Sequence, residues 1–299
     1  MPARQSEAFV LRTYPYREAD LVVSFLARDR GKLRGIANGV RRPKSRFGSG
    51  LERLSHVRAF YYQKETQELV KLDRCELLAP PVFLRADYPV LVALDFLTEV
   101  TEHLLPEHEP NEKFFRLLLS VVDEIRLSVQ GVPVSGDHTG GAGGSAYPHS
   151  SETSAANGTS TPTGGPTRGA AVMKPGDSVP GWLWRALAYF SLWSLRLGGW
   201  LPPLNVCVQS GVALEPEETA YFERSQPGLF AAEFRSRDSW AMSPEARAVA
   251  AEMLKKPLGD LRERPWDAKA AAELRRFLTQ RLETHVEGRL KTAAVLAQL

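Results

Sequence analysis

Residues 19–38 read ADLVVSFLARDRGKLRGIAN, and this stretch decides how the N-terminal part of the chain folds. Two runs rich in β-branched and large apolar residues, Ala19–Arg28 and Lys32–Asn38, flank Asp29-Arg30-Gly31. A glycine closing a short polar step between two such runs signals a hairpin. Working outward, EAFVLRTY (Glu7–Tyr14) precedes the hairpin, and HVRAFYYQ (His56–Gln63) and LVKLDRCEL (Leu69–Leu77) follow it with the same composition. Five short strands with a long loop after the third predict a small barrel of the OB type. A five-strand SH3-like barrel is the competing arrangement.

After Pro80-Pro81 the apolar spacing changes from two to three or four. In DYPVLVALDFLTEVTEHLL the residues Val90, Leu94, Leu97, Val100 and Leu104 line one helical face, and Pro106 stops it. NEKFFRLLLSVVDEIRLS follows, with Asn111 as its N-cap. GWLWRALAYFSLWSLRLGG is apolar on nearly all sides and predicts a central helix covered by its neighbours. SPEARAVAAEMLKK carries Ser243 as N-cap and Pro244 at the first helical position, and DAKAAAELRRFLTQRLETHVEG stops at Gly288. The expected architecture is α+β and multidomain, with an OB-type barrel in residues 1–80 and an all-helical domain in 81–299. Residues 129–180 or so are dominated by Gly, Ser, Thr, Pro and Ala. They hold too few large apolar side chains to offset the entropy of ordering, and read as a flexible insertion in the helical domain.

Charge divides along the same line. The chain is 43% hydrophobic and 24% charged, which argues against wholesale disorder, and its net charge is only +3. Residues 1–80 hold 16 Lys and Arg against 9 Asp and Glu, a net +7, which leaves −4 for the rest. The loop GVRRPKSRFGSGL, Gly39–Leu51, contributes Arg41, Arg42, Lys44 and Arg46 with no acid. With Arg28, Arg30, Lys32 and Arg34 it makes eight cations against Asp29 alone, in one patch or two according to how a barrel places them. Such charge repels itself unless a polyanion or water absorbs it, and cations on phosphates gain by releasing counterions whatever the base sequence. Arg34, Arg41, Arg42, Lys44, Arg46 and Arg58 are therefore the candidate nucleic-acid contacts, with a solvated or partner-facing loop as the alternative, and Phe47 is the candidate ring for base stacking. Strand alternation puts Arg58, Phe60 and Tyr62 on one face, which either stacks unpaired bases or packs against the helical domain. Tyr14 and Tyr16, flanking Pro15, read as turn packing. An OB-type RNA or ribosome binder is the alternative function, separable by competition between DNA and RNA.

Other functions find no support. Cys75 and Cys207 are too few for a disulfide framework or a cysteine-rich zinc site, which suits a reduced cytoplasm. The N-terminus lacks an apolar signal core, and the most hydrophobic stretch is broken by Arg185 and Arg196, so neither a signal peptide nor a membrane span is expected. No G-x-x-x-x-G-K-[ST] loop, G-x-S-x-G elbow or H-E-x-x-H helix occurs, and no catalytic residue is expected. His103 and His108 lie among four glutamates, but Pro106 breaks the helical spacing that ligation of a metal needs, and EHEPNE reads as a solvated acidic turn.

GKLRGIANGVRRPKSRFGSGLERLSHV, together with EAFVLRTYPYREADLVVSFLARDRGKL, closely resembles the N-terminal domain of the RecO family of bacterial recombination mediators. The resemblance is specific over about residues 5–80 and continuous in order through the helical part. It implies an OB-fold followed by a helical bundle, with no catalytic activity. It also implies binding of single- and double-stranded DNA, annealing of complementary strands, contact with the C-terminal tail of single-stranded DNA-binding protein, and joint work with RecR in loading RecA. The family's DNA contacts fall on Arg41, Arg42, Lys44 and Arg46, with Ser45, Phe47 and Gly48 beside them. For the protein tail, Arg275, Arg276 and Arg281 are candidates for a basic rim and Trp182, Trp184 and Trp193 for an apolar wall, against core packing or a solvated helix face as the plainer reading of all six. Many members hold zinc through two C-x-x-C pairs. GGWLPPLNVCVQSG keeps Cys207, but Ser210 stands at the partner position and PGLFAAEF has no cysteine, so no zinc or other cofactor is expected.

Overall fold

A computed structural model describes residues 3–42, 45–63, 68–79, 81–82, 86–130, 179–286 and 288–299. The insertion expected near 129–180 lies almost wholly outside the described residues, as does Lys44.

Five strands form the N-terminal part: β1 (Ala3–Pro15), β2 (Leu21–Ala27), β3 (Gly31–Ala37), β4 (His56–Tyr62) and β5 (Val70–Leu77). Their order is β1-β2-β3-β5-β4, closed into a barrel. Closure rests on the length of β1. Its first half pairs with β4 from Ala3↔Tyr62 to Phe9↔His56, and its second half pairs with β2 from Ala8↔Ala27 to Pro15↔Leu21. A register shift at Leu11 bends the strand between the two partners, as bulges do. β3 and β5 pair in parallel, Gly35↔Val70 to Ala37↔Leu72. Alternation fills the interior with Val10, Val23, Phe25, Leu33, Val57 and Tyr61, with the Phe25 and Tyr61 rings edge to face at 5.9 Å.

The opposite, outward side of β1 and β2 carries Phe9, Leu11 and Leu26, and these pack into the core of the helical part. The rings of Phe9 and Phe115 lie 5.3 Å apart. The β2–β3 hairpin turns at Gly31, whose φ of +73° favours glycine, and a Cβ there would sit 2.0 Å from the carbonyl oxygen of Glu109. Barrel and helices thus meet through an apolar patch and a tight backbone approach.

The helices are α1 (Tyr88–Leu104), α2 (Glu112–Gln130), α3 (Gly181–Leu197), α4 (Pro244–Met253), α5 (Ala268–His285) and α6 (Lys291–Leu296). Asn111 Oδ1 accepts from Phe114 N–H at 3.0 Å, Ser243 Oγ from Ala246 N–H at 3.3 Å and Asp267 Oδ2 from Ala270 N–H at 2.7 Å, so each cap satisfies an orphan donor. α3 packs against α1, α2, α4 and α5, the central position its apolar circumference demands. α6 is too short to stand alone. The buried Glu99 carboxylate of α1 caps it, accepting from the N–H groups of Lys291 and Thr292 at 3.0 Å and from the Thr292 hydroxyl.

The second part is not all-helical as the periodicity suggested. Between α3 and α4 runs a long irregular segment with a two-stranded ribbon, β6 (Ala220–Phe222) against β7 (Trp240–Met242). Strands of three residues leave no period to read in the sequence. Buried arginines hold this segment instead. Arg247 donates to the carbonyls of Leu204, Leu214, Glu215 and Glu218 at 2.8–3.1 Å, and Arg281 to those of Gln226 and Glu223 at 2.5 and 3.0 Å. Among the described residues, no helix is long and apolar enough to cross a membrane.

Candidate nucleic-acid interface

The loop joining β3 to β4 starts in a left-handed turn at Gly39, φ +69°. Gly39 N–H donates to Asp20 Oδ1 at 2.8 Å and Arg41 N–H to Ala19 O at 3.2 Å, which fasten the loop to the one joining β1 and β2. Arg41 and Arg42 are exposed, and neither guanidinium meets a carboxylate of the described residues. Arg46 is exposed too, but pairs with Asp73 of β5 at 2.8 Å.

Phe47 is a correction. Its ring is only 3% exposed and belongs to the barrel core with Leu51 and Cys75, so it anchors the loop and offers no face to a base. The physical reason is that a long polar loop needs apolar plugs to hold it to the barrel, and Phe47 serves as one together with Leu51. Burial pushes the neighbouring Cys75 thiol up to about 12, which leaves it inert.

The other half of the cationic run turns out to serve the fold. Arg34 pairs with Glu107 at 2.5 Å, Arg28 with Glu7 and Glu112 at 2.8 and 2.9 Å, and Lys32 Nζ donates to Glu102 O at 2.5 Å. His108 N–H donates to Lys32 O at 2.9 Å. The hydrogen bond to Glu107 raises the Arg34 pKa, against a smaller effect of burial. Arg34 is therefore a docking residue and not a free DNA contact, and EHEPNE, a turn that stays largely exposed to solvent, is also the acidic receptor for the β2–β3 hairpin. Sequence reading missed this because the partners lie some seventy residues apart; the signal available was the matching of a basic hairpin with an acidic turn.

Arg58, Phe60 and Tyr62 point outward from β4, as alternation requires. Arg58 is exposed, with Glu7 and Glu76 as its cross-strand neighbours. The Arg74 guanidinium lies 3.8 Å from the Phe60 ring centroid and covers that ring. Neither Phe60 nor Tyr62 joins the core shared with the helices.

In the helical part, α3, α5 and α6 border a groove of about 500 Å³ with Phe96, Trp184, Leu187, Leu278 and Leu290 among its apolar lining. Arg275 and Arg276 reach its rim, joined by Arg224 and Arg289. The Arg275 guanidinium stacks 3.9 Å over Trp184. Burial and the adjacent Arg276 lower the Arg275 pKa, yet guanidinium stays charged, so an anion would relieve it. Arg281 is again a correction: at 4% exposure it is spent on backbone carbonyls and does not reach the rim. Trp193 also faces elsewhere, donating Nε1–H to Met253 O at 3.0 Å.

The turn around Cys207 offers a single thiol among the described residues. Its buried Sγ accepts from Ala231 N–H at 3.4 Å. Burial opposes ionisation, but the Ser210 hydroxyl and the N–H groups of Ser210, Ala231 and Gln209 outweigh it and hold the thiol below its ordinary range. Among the described residues no three His, Cys, Asp or Glu gather as metal ligands. The donors that would surround a metal-bound thiolate point at a single sulfur.

Family models place the two parts. The model described as Recombination protein O N terminal matches residues 1–81, and Recombination protein O C terminal matches residues 180–294. A protein of Koribacter versatilis named DNA repair protein RecO is 37% identical over 296 residues, 99% of both chains. A protein of the same name from Bifidobacterium adolescentis is 27% identical over 298 residues, covering 99% of this chain and 100% of that one. The namesake from Cutibacterium acnes is 37% identical over 121 residues, 40% of this chain and 48% of its own. Two domain matches in order, and identity sustained from end to end, mean that this chain belongs to the RecO family of DNA repair proteins.

Proposed function

We propose that this chain is a cytoplasmic recombination mediator that acts by binding, without catalysis. Its barrel, of the OB type by strand order, binds single- and double-stranded DNA and brings complementary strands together. The observation that carries the reading is the β3–β4 loop, where Arg41 and Arg42 are exposed without an anionic partner among the described residues, while Arg28 and Arg34 of the β2–β3 hairpin pair with Glu112 of α2 and Glu107 of the turn before it. Cations left unpaired on a fastened loop gain most from a phosphate backbone, because each contact releases counterions. A grip indifferent to base sequence raises the local concentration of two strands, and annealing requires no more than that.

The helical part supplies the protein contacts. The groove rimmed by Arg275 and Arg276 suits the acidic, apolar-ended tail of single-stranded DNA-binding protein, with the tail's apolar end on Trp184 and Leu187. RecR and RecA are the downstream partners in this reading. Arg247 and Arg281 organise the irregular segment through its backbone carbonyls.

The test is a DNA titration at several salt concentrations, with and without a peptide copy of that tail. Binding that weakens steeply with salt for unrelated sequences supports the reading, and indifference to oligonucleotides in dilute buffer refutes it. In competition, a strong preference for RNA of equal length would move the assignment to an RNA binder.

A further inference from the structure

Tyr14 and Tyr16 are 43% and 47% exposed; Tyr14 lies at the end of β1 and Tyr16 follows it, beside the basic loop. The turn that carries them is ordered: Tyr16 N–H donates to Asp20 O at 3.1 Å, and Asp20 and Ala19 accept from Gly39 and Arg41 N–H. Register places Tyr14 opposite Val22, and Val22 opposite Ile36, so these side chains share the outer face of the barrel. Val22 and Ile36 are half-buried and make an apolar floor. On one side of it stands exposed Arg12, without a carboxylate of the described residues, and on the other stand Arg41 and Arg42. The Arg17 guanidinium lies 5.1 Å from the Tyr16 ring centroid.

Exposed rings beside an apolar strip, edged by cations with no carboxylate among the described residues, fit a ligand that has flat apolar faces and a phosphate backbone at once. A single strand has both, whereas a duplex hides its base faces in its own stack. Of the other candidate rings, Phe47 is in the core, Phe60 lies 3.8 Å under the Arg74 guanidinium, closer than Arg17 comes to Tyr16, and Tyr62 is half-buried on β4. We infer that Tyr14 and Tyr16 stack unpaired bases of a single strand, while Arg41 and Arg42 hold phosphates of single strand and duplex alike. The inference rests on the DNA-binding reading above and adds to it the part that tells one form from the other.

The experiment compares Y14A and Y16A with Y14F and Y16F by fluorescence anisotropy on a single strand, a duplex and an abasic single strand. Each alanine variant should bind the single strand about 5- to 150-fold more weakly, with duplex affinity held to within about twofold and the salt slope unchanged. Phenylalanine variants should bind as the parent does, and the abasic strand should not distinguish parent from variant. Equal loss on duplex, loss in the phenylalanine variants, or no loss at all overturns the stacking role. If the parent chain binds with steep salt dependence and the alanine variants match it, only this inference falls; if the parent binds no DNA, the underlying reading falls with it. Both positions are exposed, so thermal melts of the variants should coincide with the parent.

Discussion

Arg34 and the Arg41–Arg42 pair look alike in sequence and differ in the fold, so substituting them separately tests the central argument. Arg34 is held by Glu107, with Nε 2.6 Å from its carboxylate. To touch a phosphate it must release one anion to take another, and the net displacement of counterions is about zero. Arg41 and Arg42 have no carboxylate of the described residues to release. Replacing both with alanine should flatten the slope of log K against log salt by about 1.8 on duplex and about 1.4 on single strand. If the two proteins bind alike at 1 M salt, that slope amounts to a loss at 0.1 M of about 60-fold on duplex and about 25-fold on single strand. Arg34→Ala should leave the slope unchanged and cost the fold no more than about 1 kcal/mol, since the pair it breaks is largely exposed. Anisotropy titrations over a range of salt, on two unrelated sequences, read all of this. The reasoning is refuted if Arg34→Ala flattens the slope as much as the double variant does, or if the double variant leaves it unchanged.

Further outcomes follow from the helical part. Glu99 has its pKa lowered from 4.5, because hydrogen bonds from Thr292 and Lys291 outweigh a larger single effect of burial. Its contribution is complete above the unfolded pKa and disappears as pH falls through the folded one, so Glu99→Gln should cost about 2 kcal/mol near neutrality, with melting curves converging with the parent's in acid. Arg247→Ala orphans several carbonyls and should lower stability in urea unfolding by about 3 kcal/mol or more, and lysine should not restore it because one ammonium cannot span that fork. Arg275→Glu should abolish binding of the acidic tail peptide in calorimetry with the melting temperature kept, whereas Arg281→Ala should act on the melting temperature. Dialysis against a strong chelator should leave both melting and DNA binding unchanged; a fall in either would restore a structural metal at Cys207.

The short-range parts of this protein were legible in its residues. Alternation in HVRAFYYQ, the turn at Asp29-Arg30-Gly31 and the caps at Asn111 and Ser243 each depend on neighbours within a few positions, and the strands and helices formed where those signals stand. The loop of Arg41, Arg42 and Arg46 was equally visible as composition. What could not be seen was which cations remain unpaired. Glu107 reaches Arg34, and Glu112 reaches Arg28, only because the hairpin at Gly31 docks against the turn between α1 and α2.

The same holds for the rings and for Arg281. Phe47 and Tyr16 both sit in loops, and nothing within a few residues says that the first enters the barrel and the second stays in solvent. Likewise, Arg275 and Arg281 lie on one helix, yet one meets an open groove and the other a set of unsatisfied carbonyls. By itself, then, the sequence determined the order and kind of the elements and the sign of the field around the barrel. The tertiary structure alone decided which charges and which rings are available to a ligand. Secondary structure follows contacts a few residues long, whereas burial and ion pairing are settled between segments that only the chain's path brings together.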